Sequence, residues 1–235
     1  GRDYLDRLGL TAGEFYRRMA TSARLPQTSQ PPPGDFRRLF DHVLAYQPGA
    51  VYVGVSRALS GTLQSGETAA RGRDKPARCI DSAHVSAGQA LLAWRAGEMA
   101  AAGADADAIE REVQRLRPLT ITWAMARDIS HAVRGGRIPR WAGPVVRWSG
   151  LTPIAAVSAQ GTLKVAGGLF AKQGAPEAFA RYIGKRTPKA AGWRLVVGRS
   201  GALAAGGRLL AALRARLPVL EAHLVEVGPA VGAHA

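Results

Sequence analysis

One cysteine, Cys79, stands among the 235 residues. A lone thiol excludes a disulfide framework and a cysteine-based zinc site, and it makes a reducing cytoplasm the expected location. Long apolar runs are missing as well: nothing approaches the roughly 18 consecutive residues of a membrane-spanning helix. No HExxH, paired cysteines or clustered carboxylates suggest a metal. A P-loop is absent, and the glycine pairs at 135–136 and 167–168 do not fit a dinucleotide fingerprint. No cofactor is therefore expected. No charged segment followed by an apolar one opens the sequence, so nothing argues for secretion. The sequence begins without Met at GRDYLDRLGL and stops at VGAHA, and it is read as cut at both ends.

Lysine is scarce too. Of the 32 basic residues only Lys75, Lys164, Lys172, Lys185 and Lys189 are lysines; the rest are arginines spread through an Ala- and Gly-rich chain. With 17 acidic residues the formal net charge is +15. Such a balance suits nucleic acid, an anionic membrane surface or an acidic partner. No basic run interleaved with aromatics and no nucleic-acid motif is present, so no nucleic-acid partner is expected and the excess reads as a solvated arginine-rich surface. The 47% hydrophobic and 21% charged composition is that of an ordinary globular chain.

Periodicity organises the chain. TAGEFYRRMA at 11–20 carries a Thr N-cap with Glu three residues on, a capping-box signature. After three prolines, a helix from Gly34 or Asp35 places Phe36, Leu39, Phe40 and Val43 on one side. Val51 to Val55 is apolar on both faces, as in a central parallel strand. A helix over 63–70, a strand at 77–82, a helix at 85–103 and another at 104–116 follow, an order that implies a parallel α/β sheet. Beyond Pro118 the pattern changes. LTITWAMA reads as a strand, DISHAVRGGRIP as a short helix and glycine turn, and WAGPVVRWSG as helical. The stretch 151–170 reads as a hairpin around Gln160-Gly161, APEAFARYIGKR as a helix, and the remainder as strand, helix, strand. A lobe boundary is expected near residue 117, giving lobes of 1–117 and 118–235.

In parallel sheets ligands gather beyond the carboxyl ends of strands. Two such junctions occur, VGVSRALSGT and CIDSAHVSAGQ, each with short hydroxyl side chains and a glycine. Backbone N–H groups there can meet an anion at a helix N-terminus, although Ser60 and Thr62 serve equally well as helix caps. The run Gly54-Val55-Ser56-Arg57-Ala58 lacks the second glycine of a hydrolase elbow. The histidines at 84, 131, 223 and 234 are scattered singly, so an independent catalytic apparatus is not expected.

Taken together, these segments resemble the DegV family of bacterial fatty-acid-binding proteins, the carrier subunits of fatty acid kinase. The matching pieces run in order over essentially the whole chain: Glu14-Phe15-Tyr16, then Thr28-Ser29-Gln30-Pro31, then Leu59-Ser60-Gly61-Thr62 with Gln64-Ser65. Ile80-Asp81-Ser82 with Ser86 and Gly88, Gly135-Gly136-Arg137-Ile138, and the terminal Gly232-Ala233-His234 complete the set. The resemblance implies a two-lobed α/β fold, an N-terminal parallel-sheet lobe plus a C-terminal mixed-sheet lobe, with one fatty acid between them. It implies that Thr28 and Ser60 bind the carboxylate and that His234 sits beside it. Ser29, Gly61, Thr62, Asp81, Ser82 and Arg137 are expected to support the pocket or its loops. It further implies a fatty acid kinase as partner, transient contact with a membrane surface, and no catalysis by the chain itself. The alternative is a serine hydrolase of lipid esters using Ser60 and His234.

The chemistry suits this implication. A carboxylate that must stay reactive is better held by neutral hydroxyls than by an arginine fork engaging both oxygens. At ~0.8 kcal/mol per buried CH₂, a sixteen-carbon chain gains roughly 10 kcal/mol before entropic losses, so an apolar tunnel supplies the affinity and hydroxyls fix orientation. Apolar stretches at 144–148, 151–157 and 209–213 are candidates to line it. The chain also departs from the family pattern. Arg57 stands where a second serine usually precedes LSGT, and Thr152 replaces a common Lys before Pro153. The basic stretch after the hairpin is reduced to GGLFAKQGA. A first strand bearing Asp-Ser-Thr is missing, as is a Gly-Pro-Gly after His234.

Overall fold

The Thr11 hydroxyl accepts a hydrogen bond from the Glu14 N–H at 3.3 Å and starts the first helix, α1 (Ala12–Thr21). The second half of the expected capping box does not form, because the Glu14 carboxylate pairs with Arg18 one turn on. The computed structural model describes the chain except residues 1–2, 23–25, 127–132, 134–135, 137, 139, 141–142, 145–147, 149–150, 171–173, 202 and 235. The fold is mixed α/β, and it divides into two compact units. One comprises 29–122 and 157–163; the other comprises 1–28, 123–156 and 164–235.

The unit containing residues 29–122 is built on two parallel strands, β1 (Ala50–Gly54) and β2 (Ala77–Asp81), in register from Ala50 opposite Ala77 to Gly54 opposite Asp81. Alternation along β1 sends side chains to two different cores. Ala50, with Tyr52 beside it, packs among Phe36, Phe40, Leu44 and Ala69 from α2 (Pro33–Tyr46) and α3 (Thr62–Ala70). Val53, with Val51 beside it, packs among Leu92, Ala96, Ile109 and Val113 from α4 (Ala87–Ala101) and α5 (Ala106–Leu116). This is why the β1 segment is apolar on both faces.

Three expectations shift slightly. Helix α2 starts at Pro33, a first-turn position that tolerates the missing N–H. Its buried stripe is Phe36, Phe40 and Leu44, while Leu39, turned about 100° from Phe40, is 54% exposed. Helix α4 begins at Ala87 because Ser86 has a positive φ of 54°.

A second sheet orders β3 (Trp123–Met125), β4 (Thr152–Val157) and β5 (Leu163–Leu169), β3 antiparallel to β4; its strands belong to the second unit except Val157 and Leu163, which with the hairpin turn between them are grouped with the first. The expected strand over 119–126 is shorter, since Pro118 sits in a 3₁₀ turn over Arg117–Leu119. The hairpin turns as expected at Gly161, whose φ of +78° favours glycine, and the Ser158 N–H donates to the Thr162 carbonyl at 2.8 Å. Helix α6 (Ala175–Gly184), the parallel strands β6 (Trp193–Arg199) and β7 (Val219–Glu226), and α7 (Leu203–Arg214) share a core of Ala180, Val197 and Leu213. A short α8 (Pro229–Gly232) closes the described chain. Leu10 and Phe15 pack on Ala233, which groups the N-terminal segment with this unit. The helices expected over 128–139 and 141–150 fall mostly outside the described residues.

Candidate functional site

The loop after β1 folds back on itself. The Leu59 and Ser60 N–H groups both donate to the Ser56 carbonyl, at 3.0 and 3.2 Å, which puts residues 56–60 into one tight turn. Ser60 Oγ meets Thr62 Oγ1 at 2.8 Å and accepts from the Thr62 N–H at 3.3 Å. The serine hydroxyl therefore stands over the first turn of α3 while Gly61 holds the N-cap position with no side chain of its own. The positive end of the helix dipole faces the same place. The Ser60 hydroxyl thus accepts from a first-turn N–H of α3.

Gly61 has a further reason to lack a side chain. A Cβ there would lie 2.0 Å from the Gln30 Oε1. The Gln30 carboxamide fills that space and donates from Nε2 to Ser65 Oγ at 3.3 Å. Two separated motifs, Thr28-Ser29-Gln30-Pro31 and Leu59-Ser60-Gly61-Thr62, are thus tied to each other through Gln30. Neither motif alone signals a role for Gln30 or Ser65, because the pairing of a glutamine with a glycine is not visible in either.

The turn after β2 is the floor of this loop. Asp81 Oδ1 accepts from the Ala83 N–H at 2.8 Å and from the Arg57 N–H at 3.4 Å. Ser82 is fully buried, donating from Oγ to the His84 carbonyl at 3.1 Å and accepting from the His84 N–H at 3.0 Å. That same carbonyl accepts from the Ser56 N–H at 2.8 Å, joining the two loops. Asp81 and Ser82 are thus engaged with backbone in a turn. The buried His84 ring has a polar partner at each nitrogen: Nε2 faces the Arg117 carbonyl at 3.1 Å and Nδ1 faces Thr122 Oγ1 at 2.9 Å. A carbonyl only accepts, so Nε2 carries the proton and Thr122 donates to Nδ1. Burial holds the His84 pKa below its ordinary value.

In the other unit Thr28 is exposed and Ser29 beyond it, at the edge of the first unit, is exposed as well. Thr28 Oγ1 lies 2.9 Å from His234 Nε2, so two of the expected residues, 206 positions apart in sequence, meet directly. His234 is placed there by the docking of α8 on α1. Tyr16 donates its hydroxyl to the Val227 carbonyl at 2.9 Å, and Gly232 lies so close that a Cβ would come within 2.2 Å of that oxygen. Burial, with Glu226 and Asp6 nearby, pushes the Tyr16 hydroxyl up to about 12, so it stays a donor. Arg137 lies outside the described residues.

Among the described residues no group of three His, Cys, Asp or Glu side chains could hold a metal ion, and no helix is long and apolar enough to cross a membrane. Of the apolar stretches expected to line a tunnel, Leu209, Leu210, Ala212 and Leu213 pack into the core around Val197. Ile154 in β4 is fully buried, and Trp148 is 94% exposed.

Comparison with known proteins places the chain in a family. The family described as uncharacterised proteins of the DegV family matches residues 1–235. A DegV domain-containing protein of Listeria monocytogenes is 27% identical over 242 residues, covering all of this chain and 83% of its own length. Other curated relatives match in part: one from Lactococcus lactis is 28% identical over 130 residues, 55% of this chain, and the match spans only 47% of that protein. The fold is similar to that of a DegV family protein from Thermus thermophilus described as fatty-acid-binding, with a TM-score of 0.86 and 27% identity over 98% of this chain and 82% of that one. It is also similar to a Eubacterium eligens DegV family protein crystallised with heptadecanoic acid, with a TM-score of 0.84 and 13% identity over 100% of this chain and 85% of that one. By its sequence and its fold, this chain belongs to the DegV family.

Proposed function

We propose that this protein is a non-enzymatic carrier of a long-chain fatty acid. The carboxylate is received by the Thr28 and Ser60 hydroxyls with His234 beside it, the hydrocarbon is shielded in an apolar tunnel, and the head group is presented to an ATP-dependent fatty acid kinase for acyl-phosphate formation. The observation that carries this reading is the likeness, over nearly the whole chain, to the fatty-acid-binding protein of Thermus thermophilus. The local chemistry supports it. Ser60 offers a hydroxyl at a helix N-terminus, and Thr28 offers one whose orientation is set by an imidazole. Both are neutral donors that leave a carboxylate oxygen free to attack phosphorus. Exchange of the acid takes place at a membrane surface in the cytoplasm, where the basic excess favours anionic lipid.

The test is extraction of the purified protein followed by mass spectrometry, together with titration by palmitate and oleate. Recovery of a stoichiometric fatty acid is expected. Removal of one hydroxyl, in Ser60→Ala or Thr28→Val, should weaken binding by about tenfold, the usual loss for a hydrogen bond to a charged group, without changing the melting temperature. Absence of any lipid and of any binding would overturn the carrier. Turnover of lipid esters that disappears in Ser60→Ala would replace it with a hydrolase.

A further inference from the structure

Arg57 lies in the Ser60 loop, and its environment gives it a role. The turn closed by the Leu59 and Ser60 N–H groups on the Ser56 carbonyl keeps position 57 within one turn of chain from Ser60. An arginine in that turn has the reach and the planar fork to engage any carboxylate at the Ser60 hydroxyl. It is turned elsewhere. Both terminal nitrogens of its guanidinium meet Glu67: Nη1 reaches Oε2 at 3.0 Å and Nη2 bonds Oε1, a bidentate pair. Glu67 stands five residues beyond Thr62 on α3, about 7.5 Å down the helix at 1.5 Å per residue from the turn that Ser60 caps. The Arg57 backbone is itself held, through its N–H on Asp81, so only the side chain is free to swing.

The pair contributes little to stability. Its side chains are 53% and 29% exposed, and ion pairs so open to solvent stabilise by at most about 1 kcal/mol. Its consequence is where the charge sits. Glu67 remains ionised well into acid because the Arg57 guanidinium hydrogen-bonds it, holding its pKa down, so the latch persists across the physiological range. We infer that Glu67 is a positioning residue that holds the Arg57 guanidinium away from the Ser60 hydroxyl, leaving the ligand carboxylate bound by neutral donors alone. The inference rests on the carrier reading above. Released, Arg57 would clamp both carboxylate oxygens, tightening binding while withdrawing the nucleophile that a phosphoryl-transfer partner needs.

The experiment titrates the delipidated protein with palmitate by calorimetry, at low and at high salt, for wild type, Glu67→Gln, Arg57→Ser and the double variant. Glu67→Gln is expected to bind about tenfold more tightly at low salt, through a new charge-assisted contact, and to lose that gain at high salt. Arg57→Ser and the double variant are expected to bind like wild type. A Glu67→Gln protein that binds no tighter than wild type overturns the inference, as does a gain that persists in the double variant. Wild type that takes up no palmitate overturns the carrier reading and this inference with it; wild type that binds while Glu67→Gln is unchanged overturns the inference alone.

Discussion

Protonation of His84 has nowhere favourable to go. Its Nε2–H already donates to the Arg117 carbonyl and its Nδ1 accepts from Thr122, so a second ring proton would face the Thr122 hydroxyl in a buried space. Burial is the main obstacle to the charged ring, and the Arg117 charge adds to it; the hydrogen bond to the Arg117 carbonyl and the Asp81 charge only partly offset them. The folded pKa therefore lies below the 6.5 of an ordinary histidine. Because it is depressed, the contribution of neutral His84 to stability is fully present above the unfolded value and is lost as pH falls through the folded one. His84→Gln should lower stability by about 2 kcal/mol near neutral pH, having lost one buried partner, and the gap to wild type should narrow as pH falls from neutral into acid. Urea denaturation of both proteins across that range measures it; a gap that widens in acid would assign the histidine the opposite sign. None of this was visible at the level of sequence, where His84 was one of several isolated histidines. Thr28, Ser60 and His234 were singled out by family resemblance, because the contact between residues 28 and 234 has no local signature. Gln30 under Gly61 and Glu67 on Arg57 are illegible in the sequence for the same reason: each is a side-chain pairing across a loop.

Helix α5 shows what a local signal can fix. Asp105 Oδ1 accepts from the Ala108 N–H at 2.7 Å, and Ile109 and Val113 repeat at four-residue spacing into the core. Asp105→Ala should cost about 1 kcal/mol in urea or thermal unfolding, whereas Asp105→Asn should cost a few tenths. Equal losses for the two would mean that charge, rather than the cap, is what matters. Elements of this kind were legible in the sequence: α1, α2, α5, the two-sided β1 and the hairpin at Gly161 all carry a periodicity or a turn residue that states the element. Their ends were less so. Helix α4 starts late because Ser86 takes a positive φ of 54°, a non-helical conformation that serine's own preference does not signal. Strand β3 shrank because a 3₁₀ turn absorbed Pro118, and because buried Thr122 is engaged by His84. The packing of residues 1–28 with the C-terminal half was equally illegible, since the contact of Phe15 with Ala233 joins opposite ends of the chain.

At the scale of the whole molecule the dominant fact is charge. Seventeen acidic residues face 32 basic ones, and many of the acidic ones are already committed to arginine. Glu112 takes both Arg95 and Arg115, Asp107 and Glu110 share Arg78, and Glu226 and Glu221 pair with Arg199 and Arg194. These pairs cancel charge locally, so the net +15 is carried by the arginines and lysines left over. Such an excess acts at a distance set by ionic strength, about 10 Å at 0.1 M salt and much less above it. Near an anionic bilayer each close basic side chain contributes about 1 kcal/mol, enough for a few of them to hold the protein transiently at the surface. Co-sedimentation should therefore show association with phosphatidylglycerol-containing vesicles at low salt, none with pure phosphatidylcholine, and release as salt is raised. The same positive field attracts nucleic acid without sequence preference, and counterion release makes that binding fall steeply with salt as well. Bound lipid separates the two. If the surface contact serves ligand exchange, fatty acid carried in anionic vesicles should load delipidated protein faster than the same acid in neutral vesicles, and added duplex DNA should slow loading only at low salt. Equal loading rates from both kinds of vesicle would show that the charge plays no part in exchange, leaving hydrophobic transfer of the acid through water as the route.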